Sequence, residues 1–218
     1  EPLACAFLAE GYHVFSLRYS TEKGIYPAAL EQLARTVRLI RQNAGEWHVR
    51  KDAIVLAGFS AGGHLAAEYA CKWDRPALSA AAEAEREELR PNALVLGYPV
   101  ITAGAAAHEE SIHNLLGAQD TPKMRRSVSL ETQVSGCVPP VFLWHTATDE
   151  MVNAENSLLF ASALAREKIP YELHIYGSGV HGVSLGTRAT VGEEKHVSHG
   201  CAGWFAQAAR FLERVLPE

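Results

Sequence analysis

Apolar segments of strand length recur along this chain with helix-patterned segments between them, and that alternation restricts its fold more than any other feature. The strand-like segments are Tyr12 to Leu17 (YHVFSL), Ala53 to Ala57 (AIVLA), Leu94 to Leu96 widened to ALVLGY, Val141 to His145 (VFLWH) and Tyr171 to Tyr176 (YELHIY). Between the first two, Leu30, Leu33, Ala34, Val37 and Ile40 fall on one face of a helix. Phe205, Ala208, Ala209, Leu212 and Leu216 repeat that pattern in the last helix, near Trp204 to Leu216. Strand and helix in alternation predict α/β architecture, a mostly parallel sheet covered by helices on both faces. A length of 218 residues fits one such domain over 1–218 and excludes two independent enzyme-sized ones.

Two stretches break the alternation. Ala77 to Arg90 is Ala/Glu-rich and reads as a solvated spacer helix, while 102–140 has no strand signal and carries scattered Gly, Ser, Pro and His. Long excursions in compact domains are usually functional, so 102–140 is expected to be a lid or cap over a site.

With 20 basic against 25 acidic side chains the formal charge is −5, which argues against nucleic acid held by a basic field. No run approaches the 18 or so apolar residues of a membrane span. Cys5, Cys71, Cys137 and Cys201 match neither a zinc spacing nor a dense disulfide scaffold, and read as thiols of a reducing, cytoplasmic compartment. Nothing in the sequence bears on oligomeric state.

Chemistry concentrates at Gly58-Phe59-Ser60-Ala61-Gly62, a G-x-S-x-G pentapeptide between the apolar IVLA and the helix-forming HLAAEYA. A serine on a sharp strand-to-helix turn projects its hydroxyl over the sheet, and small residues two before and two after it let the backbones pack closely. The following helix aims its N-terminal N–H groups at a developing oxyanion, Ala61 N–H among them. A serine needs a base and the base an orienting acid, in the chain order Ser, acid, His. Asp149 follows VFLWH by a short Thr-Ala-Thr loop, and His181 follows YELHIY by Gly-Ser-Gly-Val. Both are expected to emerge at the strand edge where Ser60 emerges.

Two competing motifs fail on context. Gly177 to Gly182 spells G-x-G-x-x-G but runs into a polar loop instead of opening an apolar helix, so no dinucleotide cofactor is expected. His108 and His113 have one residue too many for a zincin pair; on a helix they stand about 140° apart, and no metal is assigned. His64, His145, His174, His196 and His199 read as core-edge or surface residues, His64 pointing away from the elbow tip.

GFSAGGHLAA, LGYPVIT, the run from PPVFLWHTATDEMV into ENSLLFASAL, and YELHIYGSGVHGVSL together resemble the α/β-hydrolase esterases of the acetyl-xylan-esterase or hormone-sensitive-lipase-like type. The resemblance extends from GYHVFSLRYS to the last helix. It implies Ser60 as nucleophile, Asp149 as acid and His181 as base in a serine esterase that needs no cofactor. It further implies a short acyl group such as acetyl, and a small-molecule or oligosaccharide alcohol of the kind found in plant polysaccharide. Those esterases carry a strand ending in a glycine-rich oxyanion loop ahead of the helix that Glu1 enters, and this chain contains no such loop. The chain is therefore expected to be an N-terminally incomplete piece, or to have an incomplete site. Two other readings stay open: a serine peptidase of the prolyl-oligopeptidase-like type, and a non-catalytic ligand-binding module on the same fold. A propeller ahead of this domain in the full gene would mark the first; a complete set of Ser60, Asp149 and His181 argues against the second.

Overall fold

A computed structural model describes residues 2–190 and 200–217. Four strands, β1 (Val55–Phe59), β2 (Ala93–Gly97), β3 (Val141–Thr146) and β4 (Tyr171–Tyr176), form one parallel sheet in the order β1-β2-β3-β4. Every residue of β2 and β3 is buried, because both sheet faces are covered. On one face Leu94, Leu96, Val141 and Leu143 pack with α2 (Ala28–Gln42), α3 (Ala61–Lys72), α4 (Pro76–Ala82) and α7 (Glu155–Arg166). On the other, Ala93, Val95, Phe142 and Trp144 meet Phe7 of α1 (Pro2–Ala9) and Trp204, Ala208, Phe211 and Leu212 of α8 (Trp204–Val215). The period of two along each strand thus divides the core into two layers.

The expected strand at Tyr12 to Leu17 does not form. This segment has no ladder partner, and Val14 and Phe15 are exposed. Its β-forming residues satisfy the local preference, but a strand exists only as a hydrogen-bonded pair. Instead, a groove of about 410 Å³ separates it from the outer edge of β1. The groove is walled by Leu33, Val37 and Leu65 from one helical layer and by Leu3, Phe7 and Leu212 from the other, so it lies in the plane of the sheet.

Ala77 to Arg90 also departs from expectation. It splits into α4 and a 3-10 turn at Arg86–Leu89, and Leu78, Ala82 and Leu89 are buried against the core. A short residue such as Ala adds little to an amphipathic signal even where it packs tightly, so an Ala/Glu-rich sequence carries the pattern of a solvated helix while burying one side. The excursion 102–140 folds into α5 (Glu109–Leu116), α6 (Pro122–Val128) and two 3-10 turns. Ile112, Leu116 and Val128 pack with Val100 and Val152, and Arg125 ties α6 to Glu109 and Asp120.

Candidate active site

Ser60 sits between β1 and α3 with φ 54° and ψ −123°, a left-handed backbone that costs a non-glycine residue of order 1–3 kcal/mol. The surroundings hold it there. Its N–H donates to Gly97 O (3.1 Å), and its carbonyl accepts from His64 N and Val100 N (3.2 Å each). The expected need for small residues on both sides is only half right. A Cβ on Gly58 would lie 2.3 Å from Gly62 O, whereas one on Gly62 would meet nothing nearer than Tyr19 Oη at 3.7 Å. The second tight position is Gly63, where a Cβ would come within 2.8 Å of Pro99 Cβ.

The structure brings Ser60, His181 and Asp149 together at the C-terminal ends of β1, β4 and β3. Ser60 Oγ lies 2.8 Å from His181 Nε2, and His181 Nδ1 lies 2.7 Å from Asp149 Oδ2. With Asp149 ionised, Nδ1–H donates to it and Nε2 is left to accept the Ser60 hydroxyl proton. The imidazole is also flanked edge-on by Tyr98 at 4.9 Å, whose Oη accepts from Ser184 N.

Asp149 is held from four directions. Oδ1 accepts the N–H groups of Met151 and Val152 (2.9 Å each), while Oδ2 faces His181 and, at 3.3 Å, His145 Nε2. Burial alone would raise its pKa, but hydrogen bonds from His145, His181 and Val152 outweigh it and hold the carboxyl well below the usual carboxylate range. His145 is thus more than a core-edge histidine. Its Nε2 donates to Val152 O (2.9 Å) beside Asp149, and its Nδ1 accepts from Ser157 Oγ (2.8 Å). The i, i+4 interval from His145 to Asp149 is visible in the sequence, but across a strand end that spacing carries no rule.

The two threonines of the Thr-Ala-Thr loop join the acid to the base. Thr146 Oγ1 and Thr148 Oγ1 both donate to Gly179 O (2.9 and 3.0 Å), and Gly179 N donates back to Thr148 Oγ1. The Gly177 to Gly182 run that carries His181 is therefore clamped to the Asp149 loop.

Ala61 opens α3, so its N–H is among the N-terminal donors without an intrahelical acceptor, and the residue is exposed beside Ser60. His64 is buried, with Nδ1 on Val100 O (3.2 Å) and Nε2 without a partner among the described residues. Burial lowers its pKa, helped by Lys72 and opposed by Glu68 and the Val100 bond, so it is kept neutral. His174 pairs with Glu172 on β4, away from Ser60. His108 is the N-cap of α5 and accepts from Ser111 N, while His113 lies inside that helix. His196 and His199 lie outside the described residues.

Comparison with known proteins gives the fold and the family. The carboxylesterase Cest-2923 of Lactobacillus plantarum is 32% identical with a TM-score of 0.86, matching 100% of this chain and 80% of its own. An acetyl ester-xyloside bifunctional hydrolase of Caldicellulosiruptor lactoaceticus, also 32% identical, has a TM-score of 0.83 over 99% of this chain and 76% of its own. Among curated sequences, endo-1,4-beta-xylanase B of Butyrivibrio fibrisolvens is 36% identical over 85% of this chain, and an acetylxylan esterase of Xylanibacter ruminicola is 28% identical over 82%. The match spans 30% and 36% of those two proteins, so this chain corresponds to about a third of each. Residues 1–164 match the BD-FAE family, and on that match, with the parallel sheet and its helical layers, the chain belongs to the BD-FAE family of the α/β-hydrolase fold.

Proposed function

We propose that this protein is a serine carboxylic-ester hydrolase acting on short-chain acyl esters of carbohydrate, acetylated xylan fragments foremost. The observation that carries the reading is the relay of two short hydrogen bonds, Ser60 Oγ to His181 Nε2 and His181 Nδ1 to Asp149 Oδ2, on a strained elbow. The esterases among its relatives support the acyl-transfer chemistry, and the printed names of the acetylxylan esterase and the acetyl ester-xyloside hydrolase support the substrate class.

In this reading Ser60 Oγ attacks the acyl carbon as His181 Nε2 takes its proton, and Asp149 stabilises the imidazolium so formed. The carbonyl oxygen becomes an oxyanion against Ala61 N–H and the N-terminal end of α3. The tetrahedral adduct collapses, the C–O bond to the alcohol breaks, and His181 returns the proton to the departing oxygen. Water then adds to the acyl-enzyme with His181 again as base, releasing the carboxylic acid and restoring Ser60.

The test is Ser60→Ala. It is expected to lower p-nitrophenyl acetate hydrolysis by several orders of magnitude and to abolish fluorophosphonate labelling while the fold is retained. A variant keeping more than about a tenth of wild-type kcat removes Ser60 from the mechanism.

A further inference from the structure

The peptide between Ser60 and Ala61 is held by its oxygen. Ser60 O accepts from His64 N, in the first turn of α3, and from Val100 N, in the segment after β2, at 3.2 Å each. That peptide is planar and trans, so its C=O and its N–H point in opposite directions, and whatever fixes Ser60 O also fixes the direction of Ala61 N–H. His64 N is anchored by its helix. Val100 has no such frame: it belongs to no strand or helix, and the chain after it turns off toward α7, where Ile101 N and Thr102 N both donate to Asn156 Oδ1 (2.8 and 3.0 Å). On the α3 side Val100 is held by the His64 ring. Nδ1 lies 3.2 Å from Val100 O, a carbonyl that no backbone N–H among the described residues reaches. A carbonyl oxygen can only accept, so Nδ1 carries the proton. Nε2, buried and without a partner among the described residues, carries none in an imidazole that burial keeps neutral.

We propose that His64 is a positioning residue that aims the oxyanion donor: its Nδ1–H fixes Val100, whose N–H holds Ser60 O and through it the direction of Ala61 N–H. The inference rests on the serine-esterase reading, in which the oxyanion faces that N–H. The contacts form a closed ring. From Ser60 the helix leads in one turn to His64, the imidazole crosses to Val100 O, and Val100 N returns to Ser60 O. Ser60 is under strain at φ 54° and ψ −123°, so its backbone relaxes when a restraint is removed. Without the imidazole donor, Val100 O is an acceptor with no partner at a residue 1% exposed, and the segment must shift to satisfy it. The Ser60–Ala61 peptide is then free to turn, and both Ala61 N–H and Ser60 Oγ, 2.8 Å from His181 Nε2, lose their aim. Because the oxyanion forms only after attack, the loss falls on kcat and not on KM.

On the wild-type chain, 15N NMR of ring-labelled histidine is expected to show the His64 imidazole, identified by its loss in His64→Asn, as the neutral Nδ1–H form; the Nε2–H form at that ring overturns the proposal. Hydrolysis of p-nitrophenyl acetate and fluorophosphonate labelling of Ser60 are then compared for His64→Leu, His64→Gln and His64→Asn, each verified as folded by thermal melt. His64→Leu is expected to lower kcat by about 10²-fold while KM stays within about threefold, and to slow labelling in proportion. An asparagine amide nitrogen stands as many bonds from Cα as Nδ1 does and donates to the same carbonyl, while that of glutamine stands one bond farther. His64→Asn is therefore expected to turn over about tenfold or more faster than His64→Leu, and His64→Gln to gain little. A folded His64→Leu with kcat within about threefold of wild type, or His64→Asn no faster than His64→Gln, overturns the role. Should His64→Leu fail to fold, the asparagine and glutamine pair and the ring tautomer decide the matter. Loss of the serine reading has a different signature: Ser60→Ala would then hydrolyse the ester as fast as wild type, whatever the His64 variants do.

Discussion

Gly58→Ala is the substitution whose consequence the geometry fixes most tightly. The added Cβ would lie 2.3 Å from Gly62 O, 2.8 Å from Gly62 C and 2.9 Å from Ala66 Cβ, about 1 Å short of ordinary contact at the nearest atom. Two of those three atoms are backbone of α3, so no side-chain rotation relieves the overlap and the helix must move relative to β1. Overpacking of this kind costs about 1–3 kcal/mol. Since Ser60 is the link between the two elements, a shift of order 1 Å there is expected to slow attack by about 10²-fold. Gly62→Ala is the matched control, because its Cβ has ordinary space and an alanine in a helix gains up to about 1 kcal/mol over glycine. Urea denaturation gives the stability difference, and the rate of fluorophosphonate labelling gives the reactivity of Ser60. Gly58→Ala within about 0.5 kcal/mol of wild type and labelling at a comparable rate would refute the close-approach argument, as would a Gly62→Ala penalty equal to that of Gly58→Ala.

Other expectations follow from the same contacts. Asp149→Asn should stay folded but lose about 10⁴ in kcat, since an amide no longer selects the Nδ1–H tautomer of His181. The folded pKa of Asp149 lies below its unfolded value of about 3.9, so its contribution is complete above that pH and is lost as pH falls through the folded value. Acid titration of stability should therefore be flatter below about pH 4 in Asp149→Asn than in wild type. Lys72→Met strands the Glu68 carboxylate and breaks the bond to Ser127 O in α6, an expected loss of about 3–5 kcal/mol by urea melt. Lys72→Met with Glu68→Leu should recover most of it, and no recovery would argue against an electrostatic origin. Extending the gene upstream of Glu1, where that supplies an extended apolar segment for the groove beside β1, should raise both melting temperature and ester turnover; equal values for the short and extended chains would show that the groove is complete as it stands.

Much of the fold was legible because period-two apolar runs and helical stripes report burial directly. Tyr171 to Tyr176 needed no adjustment, and the strand expected at Ala53 to Ala57 shifted only to Val55–Phe59. That small shift carries Ser60 to the residue directly after the strand, where the elbow requires it. The gathering of Ser60, Asp149 and His181 at one edge was legible because Ser60 directly follows a strand, Asp149 and His181 each follow one by a short loop, and a parallel sheet collects such ends at one edge. What surrounds them could not be named. His145 and the Thr146 and Thr148 clamp on Gly179 depend on which strands and loops are neighbours, and spacing along one chain says nothing about that.

Tyr12 to Leu17 shows the same limit from the opposite side. Its residues have strand chemistry, yet strand formation is a property of two segments, and across the groove the open edge of β1 is the nearest sheet. The groove has an apolar layer above and below, with the open edge of β1 on one side and the strand-patterned sequence of Tyr12 to Leu17 on the other, the setting in which an interior strand lies. Its lining includes Phe59, Gly62 and Tyr19, so at one end it comes up to the residues on both sides of Ser60. Whatever fills this slot therefore completes the sheet and abuts the oxyanion side of the elbow at once. Stability and turnover should rise together when it is filled, a coupling that neither the Gly58 contact nor the hydrogen bonds of Asp149 would produce.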